Sequence, residues 1–303
     1  MAAQLRAVRA RIRAVKSIAK ITRAQELIAS SRIIRAQQRT RSAEPYAREL
    51  TTAVEAVVSR STSITHPMIT EPQSFTNAAV LILTSDGGFA GAYNANVLRE
   101  GARLRQRNEE RGTASTTYVA GRKGISWHRF RNIPVAQEWS GFSAQPTYAD
   151  AERVATVLLE AFTAEGDAGK VDEIYLVSTE FVSMLTQRPS VRRLLPLQIE
   201  EKEGERPGGP LPSYEFEPST EDVLDALLPQ YVASRIYYAM LEAAASELAA
   251  RRRAMKAATD NANDLLDRLT REANNARQSE ITQEISEIVG GSNALAEANA
   301  GSE

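Results

Sequence analysis

A chain of 303 residues, 43% hydrophobic and 25% charged, has room for one large domain or two and enough apolar side chains for a core. The absence of cysteine excludes disulfides, thiolate metal sites and thiol redox switching, and the two histidines, His66 and His128, lie in separate segments, which argues against a histidine metal centre. The net charge of −1 hides a segregation, because residues 1–41 hold eleven Arg or Lys against the single acid Glu26; the longest apolar run, 78–83, is far short of the roughly 20 residues of a membrane span.

From 2 to 44 there is neither Gly nor Pro, and Leu5, Val8, Ile12, Val15 and Ala19 step by three and four, the spacing of a coiled-coil seam. The pattern predicts a helix over 1–58 that runs on past Pro45 and Tyr46, with or without a kink. Its basic face could track phosphates, which keeps a nucleic-acid-binding coiled coil as the alternative function. No aromatic residue precedes Tyr46 to stack bases, however, so a solvated face that also meets an acidic partner is the favoured reading.

Residues 59–77 turn polar and contain Pro67 and Pro72, the composition of a linker. A small, mostly parallel α/β domain is expected over 75–200, with strands at 78–84, 116–120 and 173–178 and helices at 94–111, 123–131 and 148–164. The loop after the first strand is where a nucleotide would sit in such a sheet. Gly87, Gly88 and Gly91 lack the spacing of a dinucleotide fingerprint, and no Walker motif occurs, so a tight turn needing positive φ, with Asp86 as its cap, is favoured over a nucleotide site. Ser85 has no G-x-S-x-G context, and no carboxylate pair suggests acid and base roles. No catalytic residue, metal ligand or cofactor site is expected.

Residues 201–220 form a loop rich in Pro, Gly and acid. Beyond it, 230–289 run without Gly or Pro between Pro229 and the pair Gly290 and Gly291, which predicts one helix over 221–290 and a flexible tail at 291–303. At about 1.5 Å per residue the uninterrupted stretch would be roughly 90 Å long. Its apolar positions Leu241, Leu248, Met255, Ala262, Leu269 and Ala276 recur every seven residues, again a coiled-coil seam. Pairing the two terminal helices antiparallel leaves the last turns of the second without a partner.

Two stretches of the last helix, Ala254-Met255-Lys256-Ala257-Ala258-Thr259-Asp260-Asn261-Ala262 and Ala276-Arg277-Gln278-Ser279-Glu280-Ile281-Thr282-Gln283-Glu284, continuing to Gly291, resemble the C-terminal signature of the γ subunits of F-type ATP synthases. Residues 11–24 are similar to that family's first helix, and Thr84-Ser85-Asp86-Gly87-Gly88-Phe89-Ala90-Gly91 to its first strand and turn. The chain departs from the pattern at Gln25, where Met is usual, and at Gly87 and Ala90, where Arg and Cys are common. The resemblance implies an antiparallel coiled coil with a small Rossmann-like α/β domain inserted between its helices. It implies a noncatalytic central rotor stalk that couples ion flow to ATP synthesis, with the α3β3 ring, ε and the c-ring as partners, at the cytoplasmic face of a bacterial plasma membrane. Carried over by position, Arg251, Arg277, Gln278, Thr282 and Glu284 are expected to meet α and β. Arg41, Glu44, Tyr214, Glu215, Phe216 and Glu217 are expected near ε and the c-ring. The connection Glu165, Gly166, Asp167, Ala168, Gly169 and Lys170 is longer than most of the family has, and a regulatory contact that restrains hydrolysis is expected of it.

Overall fold

The computed structural model describes residues 2–60, 66–166, 169–197 and 220–300. Helix α1 spans Ala2–Arg60, with Pro45 inside it, and helix α5 spans Thr220–Ala300. Between them come β1 (Asn77–Leu83), α2 (Tyr93–Glu110), β2 (Ala114–Ala120), α3 (Arg122–Phe130), β3 (Gln137–Trp139), α4 (Tyr148–Thr163), β4 (Glu173–Phe181) and β5 (Gln187–Leu195). The chain divides into two compact units, Met1–Ile28 with Arg252–Glu303, and Ala29–Arg251.

In the first unit the expected seam forms. Leu5, Val8 and Ala19 of α1 are buried, as are Met255, Ala262 and Leu269 of α5. The hydroxyls of Thr22 and Thr259 meet at 2.7 Å, and Gln4 lies by Arg268, Arg271 and Ser279, so rising numbers in α1 meet falling numbers in α5 and the pair is antiparallel. Past Leu269, Ala276 is half-buried, and from Arg277 to Ser292 every side chain is exposed except the half-buried Glu280.

In the second unit five strands form one sheet in the order β3-β2-β1-β4-β5. β1 is parallel to β2 and β4, β2 is parallel to β3, and only β5 is antiparallel. The apolar run of β1 is buried on both faces, as continuous hydrophobicity in a central strand requires. Ala79, Leu81 and Leu83 face Val154 and Leu158 of α4 and Leu224, Leu228, Val232 and Ile236 of α5, whereas Ala78, Val80 and Ile82 face Val97, Leu98 and Leu104 of α2.

Several expectations are corrected, although the start of α5 at Thr220 lies one residue from the expected 221: Leu224, Leu228 and Val232 are all fully buried against the sheet and hold the helix on both sides of Pro229. Its backbone also stays helical through Gly290 and Gly291 to Ala300, so the segment expected to be a flexible tail is helical up to that residue. An exposed glycine costs a helix about 1 kcal/mol relative to alanine, which weakens it without ending it. Strands β3 and β5 are additions to the sequence reading: the first has only three residues, and the second carries Arg188, Pro189, Arg192 and Arg193. Charge and proline suit β5 because it is an edge strand. Its arginines are also answered, Arg192 by Glu180 and Arg193 by Glu71.

Candidate functional site

In an open parallel sheet, ligands bind outside the carboxyl ends of the strands where the strand order reverses. Here that point lies beside β1, whose neighbours are β2 and β4, and the turn 85–91 borders it. The crevice is filled by the chain's own helix. Met240, Ala243 and Glu247 of α5 close over Leu83, Thr84, Ala120, Gly121, Phe142 and Ser143, leaving a cavity of about 20 Å³, enough for one water and no phosphate. Tyr93 donates to the carbonyl of Ala243 at 3.2 Å, and burial, with the Glu247 carboxylate beside it, pushes its phenol far above the usual range.

The turn itself is pinned by Asp86, whose carboxylate accepts from the backbone amides of Arg122 (3.1 Å), Gly141 (2.9 Å) and Ser143 (3.0 Å). In return the Asp86 amide donates to the Ser143 hydroxyl at 2.8 Å. Ser143 reaches on to Glu247 at 3.4 Å, Glu247 pairs with Arg251, and the Arg251 Nε donates to the carbonyl of Gly88 at 3.1 Å. Glu247 is only 2% exposed, and burial raises its carboxyl above the ordinary range, with the Asp86 charge adding to the rise and Arg251 and Ser143 opposing it.

The reason for glycine at 87 differs from the expected one. Positive φ occurs at Phe89 and Gly91, not at Gly87 or Gly88. A Cβ at position 87 would stand 2.7 Å from Nη2 of Arg251, so Gly87 makes room for that guanidinium. Glu247, Ser143 and Tyr93 were missed from the sequence. A Glu four residues before an Arg on a helix was a visible signal for one of these contacts.

The residues expected to meet partners fall in different places. Arg251 has a side chain only 14% exposed and is engaged within its own unit by Glu247 and Gly88. Arg277, Gln278, Thr282 and Glu284 are all exposed on the part of α5 that follows Leu269, the last buried residue up to Ser292. They flank an uncovered apolar stripe of Ile281, Ile285, Ile288 and Val289, and Ile288 is 70% exposed. Arg41 and Glu44 are exposed on α1, Glu44 pairing with Arg48 at 2.7 Å. Tyr214, Glu215, Phe216 and Glu217 lie outside the described residues, as do Asp167 and Ala168. Of the rest of that connection, Gly166 and Gly169 have positive φ, and the carbonyl of Lys170 accepts from the Asn77 side chain at 2.9 Å, which puts it at the amino edge of the sheet.

His66 bonds Asp225 at 3.0 Å, while His128 is buried and bonds the carbonyl of Gly124 at 2.9 Å. Among the described residues no group of three or more His, Asp or Glu could hold a metal, and no helix is long and apolar enough to cross a membrane.

A family model described as ATP synthase matches residues 4–295. A protein of Thermobifida fusca named ATP synthase gamma chain is 56% identical over 306 residues, covering all of both chains. One of the same name from Acidothermus cellulolyticus is 58% identical, covering 97% of this chain and 98% of the relative. Among solved structures, the fold is similar to a chain in a cryo-EM structure of the Euglena gracilis mitochondrial ATP synthase described as OSCP, F1 and c-ring, with a TM-score of 0.67 at 16% identity, covering 97% of this chain and 95% of that one. A chain in the rotor structure of the same enzyme matches with a TM-score of 0.64 at 14% identity, covering 93% of this chain and all of that one.

Proposed function

The chain belongs to the family of ATP synthase γ chains, and from that membership we propose that it is the central rotor stalk of an F-type ATP synthase. It transmits torque between the ion-driven c-ring and the α3β3 head and performs no chemistry of its own. The observation that carries this reading is the end of α5. From Thr270 to Ser292 the helix has no buried side chain, yet it keeps an apolar stripe from Ile281 to Val289 beside Arg277, Gln278, Thr282 and Glu284. An uncovered apolar stripe rimmed by polar side chains is the composition of a contact surface. In this reading those four polar residues meet α and β, and Arg251 acts through its partners inside the chain. Arg41 and Glu44, with 214–217, face ε and the c-ring, and the connection 165–170 touches a neighbouring subunit. The complex belongs to the membrane-associated F1 sector, placed at the cytoplasmic face of a bacterial plasma membrane.

The nucleic-acid alternative finds no support, since the family match to ATP synthase runs from residue 4 to 295 and so takes in the basic helix α1 itself. The test is ATPase activity of an α and β mixture with and without this chain, combined with the mass of what assembles. One copy per three α and three β, with activity dependent on it, is the expected result. A chain that stays separate and leaves activity unchanged would sink the reading.

A further inference from the structure

We propose that Glu247 and Arg251 are positioning residues that lock α5 against turning about its own axis relative to the sheet, so that torque passes between sheet and helix without slip. The proposal rests on the rotor reading and adds the place where the load is borne. Most of the contact between α5 and the sheet is apolar, through residues such as Leu228, Val232, Ile236 and Met240. Apolar contact resists separation but is not directional, so by itself it opposes rotation of a smooth helix weakly. Charge-assisted hydrogen bonds have fixed geometry, and inside a dry site they are stronger than in water.

These bonds form a closed ring. Asp86 holds the amides of Arg122, Gly141 and Ser143, Ser143 reaches Glu247, Glu247 pairs with Arg251, and Arg251 returns to the carbonyl of Gly88, two residues from Asp86. Two successive turns of α5 are thereby tied to two separate loops, one after β1 and one after β3. The ring also closes at the last residue of its unit, from which the same helix runs on to Ala300. Gly87 belongs to the arrangement, because any side chain there would occupy the place of the Arg251 guanidinium.

The experiment uses the whole synthase in inverted membrane vesicles, reading ATP hydrolysis and ATP-driven ion uptake for the parent enzyme, Gly87→Ala and Glu247→Gln. Gly87→Ala leaves both charged residues in place, and its Cβ displaces only the far end of a flexible side chain, so the fold is kept while the ring is broken. Both variants are expected to hydrolyse ATP but to lose uptake per ATP by about twofold or more, the size of effect that breaking one coupling element has. A merely structural role is separated by the thermal midpoint of the full chain. Glu247→Gln leaves the largely buried Arg251 guanidinium without its carboxylate and is expected to lower the midpoint. Gly87→Ala keeps both charges and is therefore the variant that separates the roles: it is expected to keep the midpoint while coupling falls. Unchanged uptake per ATP in both variants, or a loss confined to the midpoint, would overturn the proposal. A parent enzyme that hydrolyses ATP without any uptake would instead overturn the rotor reading beneath it.

Discussion

At Gly121 a Cβ would stand 2.2 Å from the carbonyl oxygen of Thr84, and the backbone there has φ of 104°. Three residues on, a Cβ at Gly124 would meet the Thr84 hydroxyl at 2.7 Å and Val119 at 2.8 Å. The two glycines let α3 start directly against β1, where the Gly124 amide donates to the Thr84 hydroxyl at 2.9 Å. Gly112 also has positive φ, at 77°, but nothing lies within 4 Å of its Cβ position. The contrast separates backbone strain from collision. Gly112→Ala is expected to cost about 1–2 kcal/mol, the penalty of the left-handed region alone, and Gly121→Ala about 3 kcal/mol or more, since backbone strain and overpacking add. Urea unfolding of the two variants measures the difference, and equal losses would show that collision contributes nothing. Neither role was legible in the sequence, where a glycine looks the same whether it serves φ, as at Gly91, or vacates space, as at Gly87 and Gly124.

The pair of long helices shows how far an element can be read from its own pattern. The seam of α1 was visible from Leu5 to Ala19 because every step is three or four between apolar residues. It continues through Thr22 and Glu26 to Ala29, Ile33 and Ala36, all buried, but two polar residues interrupt the hydrophobic signal. Inside the seam, Thr22 and Thr259 share a bond of 2.7 Å, and each also lies within reach of a carbonyl of its own helix, Ala19 and Met255. Thr22→Val and Thr259→Val are each expected to destabilise the chain by about 1 kcal/mol, the net worth of one buried hydrogen bond. The double variant is expected to lose less than the sum by roughly 0.5–1 kcal/mol, the coupling of directly touching residues. Additive losses in a denaturation cycle would mean that the two hydroxyls act only within their own helices. The paired hydroxyls also fix register, because sliding one helix past the other would leave them facing apolar side chains with nothing to accept or donate.

At the scale of the whole molecule, the sheet of the second unit has different work at its two ends. Its carboxyl edge is filled by α5 and the ring around Arg251, whereas at its amino edge the carbonyl of Lys170, the last residue of the connection 165–170, accepts from Asn77. That connection ends beside Asp172, whose carboxylate accepts from the amides of Thr76 and Asn77 and from the Thr76 hydroxyl. Burial alone would raise the Asp172 carboxyl, but the bonds from Thr76 and Asn77, with the nearby Lys170 charge, outweigh it and hold it below its ordinary value. The bonds from Thr76 and Asn77 to Asp172 thus tie off the sheet edge without any contribution from 165–169. Shortening 165–170 while keeping Asp172 is expected to leave stability and ATP synthesis unchanged and to raise ATP hydrolysis in the reconstituted enzyme. Hydrolysis that does not change would reduce the connection to a tolerated surface insertion.

The sequence by itself determined the two long helices and their seams, the buried central strand, the lack of any recognisable catalytic motif and the family. Each of these is written in periodicity or in contiguous motifs, and a few neighbouring residues suffice to express them. Only the tertiary structure decided that the last helix occupies the crevice of the sheet, that Gly87 exists for Arg251, and that a charged, proline-containing segment forms the antiparallel edge. Arg251 and Gly88 are 163 positions apart in the chain, and no local pattern carries a contact of that range. Physically, the crevice is closed because burying the apolar face of α5 on the sheet brings Glu247 and Arg251 to its mouth, where the exposed backbone of the turn supplies their partners.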